Sequence, residues 1–165
     1  MIQSLTITEA CQYIKRLLSM NYSLLCIGTY LRNDDAACLE LCDKLQATGI
    51  YNNIVKCEFG LENCFDEVLQ HKRDSVIICD AIISHTLKPG TIAKFDLKDI
   101  DEGIEVLTTH TIPLTYSINI LIKMGNVKNI ELIGIVAQDL SIGMQLSEAI
   151  KNTVEQLYNC LKSCK

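Results

Sequence analysis

Several patterns that mark other protein classes are missing from this chain of 165 residues. No long basic run occurs and the formal net charge is −5, so the electrostatic footprint of a nucleic-acid-binding protein is absent. No stretch approaches the roughly 18 consecutive apolar residues that a membrane-spanning helix needs. The first 20 residues carry Glu9, Lys15 and Arg16 within a helical pattern, which is unlike a secretory signal peptide.

Common catalytic and nucleotide-binding motifs are missing too. The chain has neither GxGxxG after its first predicted strand nor a GxxxxGKS/T loop, which leaves a nucleotide-phosphate cradle unsupported. The absence of HExxH and GxSxG removes the common metalloprotease and serine-hydrolase motifs. No linker, repeat or low-complexity segment divides the chain. We therefore expect one domain over residues 1–165, with 1–21 as an N-terminal helical extension.

Nine cysteines are present, but none forms a CxxC pair. An odd number of cysteines scattered through apolar segments favours reduced, buried thiols over a disulfide framework. Cys38 and Cys42 are four residues apart on a predicted helix, as are Cys160 and Cys164, and packing is the simpler interpretation of both pairs. Because thiols stay reduced in reducing compartments, cysteine usage predicts a cytoplasmic protein.

Strand-like and helical patterns alternate along the chain, in which 48% of the residues are apolar. The predicted strands are 22–28, 53–59, 74–81, 91–97 and 130–137, and the predicted helices are 6–20, 35–48, 61–71, 113–124 and 147–164. This alternation predicts a three-layer α/β/α sandwich with a mostly parallel central sheet of about five strands. The period-two pattern of 91–97 is typical of a more exposed strand, so we expect one antiparallel or edge strand.

Polar side chains follow the predicted strands at the sheet edge where α/β proteins bind ligands. Asp34 and Asp35 lie in the loop after the first strand, and Asp80 closes the apolar run VIICD. His110 precedes the helix that begins near Pro113. Two carboxylates and one imidazole, with coordination positions left open, suit a divalent transition metal. The residue types therefore predict an Asp/Asp/His metal site.

Each of these residues also has a simpler interpretation. Asp34 could be a helix N-cap, and Asp35 could be a first-turn acid that complements the helix dipole. His110, in a threonine-rich loop, could be solvated or hydrogen-bonded within the protein. Asp80 is harder to dismiss, because desolvating a carboxylate alone costs several kcal/mol. A helix N-terminus or backbone amides could still satisfy it.

Four segments, in order along the chain, carry a family resemblance. They are LLCIGTYLRNDDAACLELCDKL (24–45), VIICDAIISHTLKPGTIAKFD (76–96), TTHTIPLTYSINIL (108–121) and IELIGIVAQDLSIGMQLSEAI (130–150). The first segment has a strand that ends in Gly, followed by paired acids, and the second has a strand followed by Asp-Ala and then Pro-Gly-Thr. The third has Thr-Thr-His before a helix, and the fourth has an Asp-Leu turn before the last helix. This pattern resembles the [NiFe]-hydrogenase maturation proteases over roughly residues 22–161.

The resemblance implies an activity and a site. Family members cut a short C-terminal extension from the precursor of a [NiFe]-hydrogenase large subunit, and the nickel already inserted in that precursor identifies the substrate. The family's catalytic and metal-contacting residues match Asp35, Asp80 and His110, with Asp34 and His85 as candidate accessory contacts. Zinc or cadmium could substitute for the nickel. No nucleic acid or membrane partner is expected, and self-association is left open.

The chain departs from the family pattern near the paired acids. Thr29 stands where Asn is usual, Asn33 replaces a Gly, and Cys38 replaces a common Gly in the next helix. Because Asn tolerates left-handed backbone, we expect the turn to be kept, with Asp34 serving the turn and Asp35 facing the metal. Two alternatives to an enzyme stay open: a non-catalytic metal-sensing or chaperone module of hydrogenase assembly, and a flavodoxin-like ligand-binding domain whose acids are only caps.

Overall fold

A computed structural model of the chain describes residues 1–100, 104–106 and 112–163, the side chains of 104–106 excepted. Within these residues one sheet contains β1 (Gln3–Leu5), β2 (Ser23–Gly28), β3 (Ile54–Glu58), β4 (Ser75–Ser84), β5 (Ile92–Phe95), β6 (Ile104–Val106) and β7 (Asn129–Val136). The helices are α1 (Ile7–Ser19), α2 (Ala37–Thr48), α3 (Phe65–Gln70), α4 (Leu114–Gly125) and α5 (Glu148–Lys162). All the predicted strands and helices are therefore confirmed, in the predicted order.

The sheet is mostly parallel, as predicted. Its strand order is β1-β5-β7-β4-β2-β3, and β6 pairs with β4 beside the end of β2. Strands β3, β2, β4 and β7 are parallel to one another, whereas β5 is antiparallel to both of its neighbours and β6 is antiparallel to β4. The prediction of about five strands missed β1 and β6. Each has three residues, which is too short for an alternating pattern to show.

Strand β4 is the central strand of the sheet, and it is longer than predicted. Its apolar run is buried from Ser75 onward, as expected for a parallel strand covered on both faces. Pairing with β2 ends at Cys79, whereas pairing with β7 continues to Ile82. The sequence placed Asp80 at the end of this strand, and that placement is wrong. Asp80 lies inside β4, one residue beyond the last pair with β2.

Helices cover both faces of the sheet, which confirms the three-layer architecture. Buried residues of α1, α2 and α5 pack on one face, and those of α3 and α4 pack on the other. A Thr6–Glu9 capping box, a motif that can be read from the sequence, begins α1. Helix α1 is tied to the sheet through Tyr13, whose hydroxyl donates to the Glu131 carboxylate, while Lys94 Nζ lies 3.1 Å from Glu131. No helix in the described ranges is long and apolar enough to cross a membrane.

The prediction of reduced thiols is wrong for every cysteine that the structure describes. Four disulfides are formed: Cys11–Cys160, Cys26–Cys42, Cys38–Cys79 and Cys57–Cys64. Cys164 lies outside the described residues. The partners are 7 to 149 positions apart and meet only through tertiary packing, so spacing along the chain could not reveal them. Cysteine usage no longer indicates a reducing compartment, and the cytoplasmic location stays a prediction.

Candidate active site

The paired acids lie in a single 3₁₀ turn, Asn33–Ala36, which we call the acid turn. It follows β2 and leads directly into α2. Gly28, the last residue of β2, lets this turn approach the strand closely. A Cβ atom on Gly28 would lie 2.0 Å from the backbone carbonyl oxygen of Asp35, and the φ angle of +154° is one that L residues rarely adopt. The Gly at the strand end is therefore required by the turn above it.

Asn33 begins the acid turn in the left-handed conformation, with φ of 43°. This confirms the expectation that Asn keeps the turn where the family pattern has Gly. The backbone N–H of Asn33 donates to the Gly143 carbonyl (2.9 Å), and its side-chain amide donates to the Ser141 hydroxyl (3.2 Å). Its side-chain oxygen accepts from the Gln145 N–H (3.1 Å). Asn33 thus joins the acid turn to the loop between β7 and α5, residues 137–147, which we call the late loop.

Asp34 also binds the late loop, through its side-chain carboxylate. The side chain is fully buried, and its Oδ2 accepts from the backbone N–H groups of Gln138 (2.9 Å) and Asp139 (2.7 Å) and from the Ser147 hydroxyl (2.8 Å). Its Oδ1 accepts from the Ser147 N–H (2.7 Å). These contacts, which we call the Asp34 clamp, hold the residue that precedes α5. The prediction that Asp34 serves the turn is confirmed, but it does not cap α2, whose N-cap residue is Ala36.

Asp139 is a second carboxylate that binds the backbone of the late loop. Its Oδ1 accepts from the hydroxyl (2.6 Å) and the backbone N–H (2.9 Å) of Ser141. These hydrogen bonds, with a further one from the Asn33 amide, hold the pKa of the Asp139 carboxyl below its usual range. The late loop is therefore fixed by two carboxylates that face its own backbone.

Asp35 follows Asp34 in the acid turn. Its backbone N–H donates to the Arg32 carbonyl (3.0 Å), and its residue surface is 0% exposed. The acid turn packs against both β2 and β4. Asp80, 1% exposed, lies in β4 at the point where β4 has lost β2 as a neighbour. The fold therefore places the two predicted carboxylates on adjoining elements at the carboxyl end of β2.

Of the two histidines that the sequence singled out, the structure describes His85 but not His110. His110 lies outside the described residues, so the third predicted metal contact stays a prediction. His85 directly follows β4 and is exposed, and its role as an accessory contact stays a prediction. In residues 1–100 and 112–163, no three His, Cys, Asp or Glu side chains are arranged to hold a metal ion.

Comparison with known proteins assigns the family. The model of the HycI family, described as hydrogenase maturation protease, matches residues 63–163, which is more than half of the chain. The chain belongs to the hydrogenase maturation protease family. This matched range contains β4 with Asp80, α4, β7 and the late loop. No curated protein sequence matches this maturation protease at a significant level.

Solved structures of maturation proteases share the fold of this family member. A [NiFe] hydrogenase maturation protease HybD from Thermococcus kodakarensis matches with a TM-score of 0.67 and 25% identity over 84% of this chain and 95% of that chain. An endopeptidase HycI from Escherichia coli matches with a TM-score of 0.67 and 29% identity over 83% of this chain and 86% of that chain. A [NiFe] hydrogenase maturation protease HycI from Thermococcus kodakarensis KOD1 matches with a TM-score of 0.68 and 25% identity over 86% and 93%. This chain is accordingly a hydrogenase maturation endopeptidase.

Sequence reasoning missed the residues that hold the acid turn of this maturation protease in place. Gly143 is one of them, because a Cβ atom there would lie 2.3 Å from Oδ1 of Asn33. Ser147 is another, and only its position before the last helical pattern hinted at a role as an N-cap. Neither residue carried a signal for contact with a turn more than 100 positions earlier.

Proposed function

We propose that this protein removes the C-terminal extension of a nickel-loaded [NiFe]-hydrogenase large-subunit precursor. One observation carries the proposal: two carboxylates, Asp35 and Asp80, are buried on adjoining elements at the ligand-binding edge of the sheet in a chain of this family. The nickel belongs to the substrate. Carboxylates and imidazole are ligands that a divalent transition metal accepts while other coordination positions stay with the precursor.

In this proposal Asp35 and Asp80 contact the nickel together with His110. The metal then acts as the recognition element, because only a precursor that presents it brings its extension to the acid pair. Hydrolysis adds water across one peptide bond: hydroxyl goes to the acyl carbon and a proton goes to the leaving amine. The paired carboxylates hold the metal-bearing segment in position beside that bond.

Burial sets a condition on this contact. Asp35 and Asp80 are almost completely covered in the isolated chain, so a metal held by another protein reaches them only after local opening. Association that requires a conformational change is slower than docking of preformed surfaces. We therefore expect slow binding of the precursor, followed by cleavage within the complex.

A mass spectrum of the cognate precursor tests the proposal. The precursor, nickel-loaded or nickel-free, is incubated with wild type, Asp35→Asn or Asp80→Asn. Asp66→Asn is a matched control, since Asp66 is an exposed acid in the first turn of α3. We expect loss of a C-terminal peptide only from the nickel-loaded precursor, and only with wild type and Asp66→Asn.

Two other outcomes would contradict parts of the proposal. Equal cleavage of nickel-free precursor by wild type would overturn the nickel recognition. Intact precursor under every condition, with nickel shown to be bound, would overturn the cleavage and favour a non-catalytic module of hydrogenase assembly.

A further inference from the structure

The Cys38–Cys79 disulfide lies next to both carboxylates of the candidate site. Cys38, the second residue of α2, comes three residues after Asp35, and Cys79 directly precedes Asp80. The two half-cystines are 41 positions apart in the chain, yet their Cα atoms are 6.0 Å apart. Both are buried in the core. A covalent path of a few residues therefore joins the acid turn to the strand that carries Asp80.

The cross-link lies where α2 begins and where the pairing of β2 with β4 ends. Helix α2 begins without a side-chain N-cap bond, in contrast to α1 with its capping box. On the strand side, the pair between Cys26 and Cys79 is the last one that β2 and β4 make. The disulfide thus fixes the first turn of α2 to the residue at which β2 and β4 separate.

General stabilisation does not explain this location. The Cys26–Cys42 disulfide already ties α2 to the sheet one turn further along the helix. Loop-closure entropy depends on the 41 positions that the Cys38–Cys79 link encloses and not on where the pair lies in the fold, so it does not select this place for the link. The distinct effect of the link is to fix the beginning of α2, and with it the acid turn, relative to β4.

We propose that the Cys38–Cys79 disulfide positions Asp35 relative to Asp80 for cleavage. This inference rests on the proposed function, because it assigns the two carboxylates to one reaction. Cys38 and Cys79 are positioning residues that act through the carboxylates beside them. Without the link, the acid turn can shift against β4, and displacements of about 1 Å in reacting groups cost on the order of 100-fold in rate.

Paired substitutions test the proposal, with another disulfide as a matched control. Cys38→Ala/Cys79→Ala removes the link beside the site, and Cys11→Ala/Cys160→Ala removes the link between α1 and α5. Among the four disulfides of the described residues, the control link closes the longest loop, with a separation of 149 positions. We therefore expect the control variant to lose more thermal stability than the site variant.

Kinetics and hydrogen exchange are measured on the same proteins, purified without reductant. Peptide mapping of unreduced wild type is expected to recover Cys38 linked to Cys79. For the site variant we expect kcat on nickel-loaded precursor to fall at least tenfold, with KM changed less than twofold. We also expect faster amide exchange in the acid turn of that variant. The control variant is expected to keep the wild-type kcat and the wild-type exchange rate in the acid turn.

Other results would overturn the inference. Free thiols at Cys38 and Cys79 in the purified protein, or wild-type kcat and exchange in the site variant, would each contradict it. Failure of wild type to cleave any precursor would contradict the proposed function instead. In that case the exchange comparison still decides whether the disulfide holds the acid turn in place.

Discussion

The clamp region around Asp34 and the sheet edge around Asp35 and Asp80 use the same chemical group for different purposes. In the clamp, one buried carboxylate accepts four hydrogen bonds from the late loop and organises the entry to α5. At the sheet edge, two buried carboxylates lie on elements that pack together at the carboxyl end of β2. All three acids are almost completely buried. Residue type and burial therefore do not separate a structural acid from a candidate functional one, whereas their surroundings do.

The backbone of the acid turn explains how adjacent residues reach two regions. A 3₁₀ turn has three residues per turn, so successive side chains point about 120° apart. Asp34 faces the late loop, and Asp35 follows it in the part of the turn that rests on β2. Paired acids in a short turn can thus combine an anchor with a reactive group, and the anchor fixes the direction of its neighbour.

The largest expected effect comes from the sheet edge. Under the proposed function, Asp35→Asn and Asp80→Asn should each lower kcat/KM on nickel-loaded precursor at least about 100-fold, because a metal contact of the kind proposed is worth several kcal/mol. Each change keeps the side-chain shape, so the loss of activity should be larger than any fall in the urea midpoint accounts for. Cleavage assays and urea unfolding of the same preparations check both statements. A fall in stability that accounts for the lost activity would place these acids with Asp34.

A substitution in the Asp34 clamp should lower stability and leave activity nearly unchanged, the opposite of what we expect at the sheet edge. Asp34→Asn turns one carboxylate oxygen into an amide donor among three backbone N–H groups, and stability should fall by about 3 kcal/mol as buried donors are left without an acceptor. The activity of the molecules that remain folded should stay within a few-fold of wild type. Urea unfolding gives the first quantity, and cleavage rates well below the unfolding midpoint give the second. A folded, stable but inactive Asp34→Asn protein would move Asp34 into the reactive group.

The main elements of this fold could be predicted because burial leaves a periodic pattern. The continuous apolar run of β4 and the Thr6–Glu9 box before α1 are local signals that the structure confirms. Strands β1 and β6 are too short to produce such a pattern. The length of β4 could not be predicted, because its last residues are held by pairing with β6 and β7 rather than by their own sequence.

The candidate site was predictable in its acids but not in its supports. Asp35 and Asp80 stand out because each comes after a continuous apolar run, near the sheet edge where ligands bind in α/β proteins. The partners of Asp34 are 104 to 113 positions away in the sequence, and the disulfide partner of Cys38 is 41 positions away. Such contacts depend on how the layers pack, and a single sequence carries no local signal for them.

A smaller loss of stability is expected where the late loop touches the acid turn. Gly143→Ala brings a Cβ atom to 2.3 Å from Oδ1 of Asn33, so the Asn33 side chain must move and stability should fall by about 2 kcal/mol. The cost should shrink in an Asn33→Gly background, where the obstructing side chain is gone. A double-mutant cycle by urea unfolding measures this coupling. Additive effects would show that the late loop relaxes around the new methyl group without involving the acid turn.

The smallest effect concerns the residue that starts the turn. Asn33→Gly keeps the left-handed backbone, which Gly adopts without strain, but it loses the side-chain bonds to Ser141 and Gln145. The easier left-handed backbone and the lost hydrogen bonds have opposite effects on stability. We therefore expect the free energy of unfolding to fall by about 1 kcal/mol or less, with unchanged cleavage. Asn33→Ala loses the same bonds and also strains a φ of 43°, so it should be the less stable of the two. Urea unfolding separates the variants, and equal stability would mean that side-chain bonding, rather than backbone conformation, selects Asn at this position.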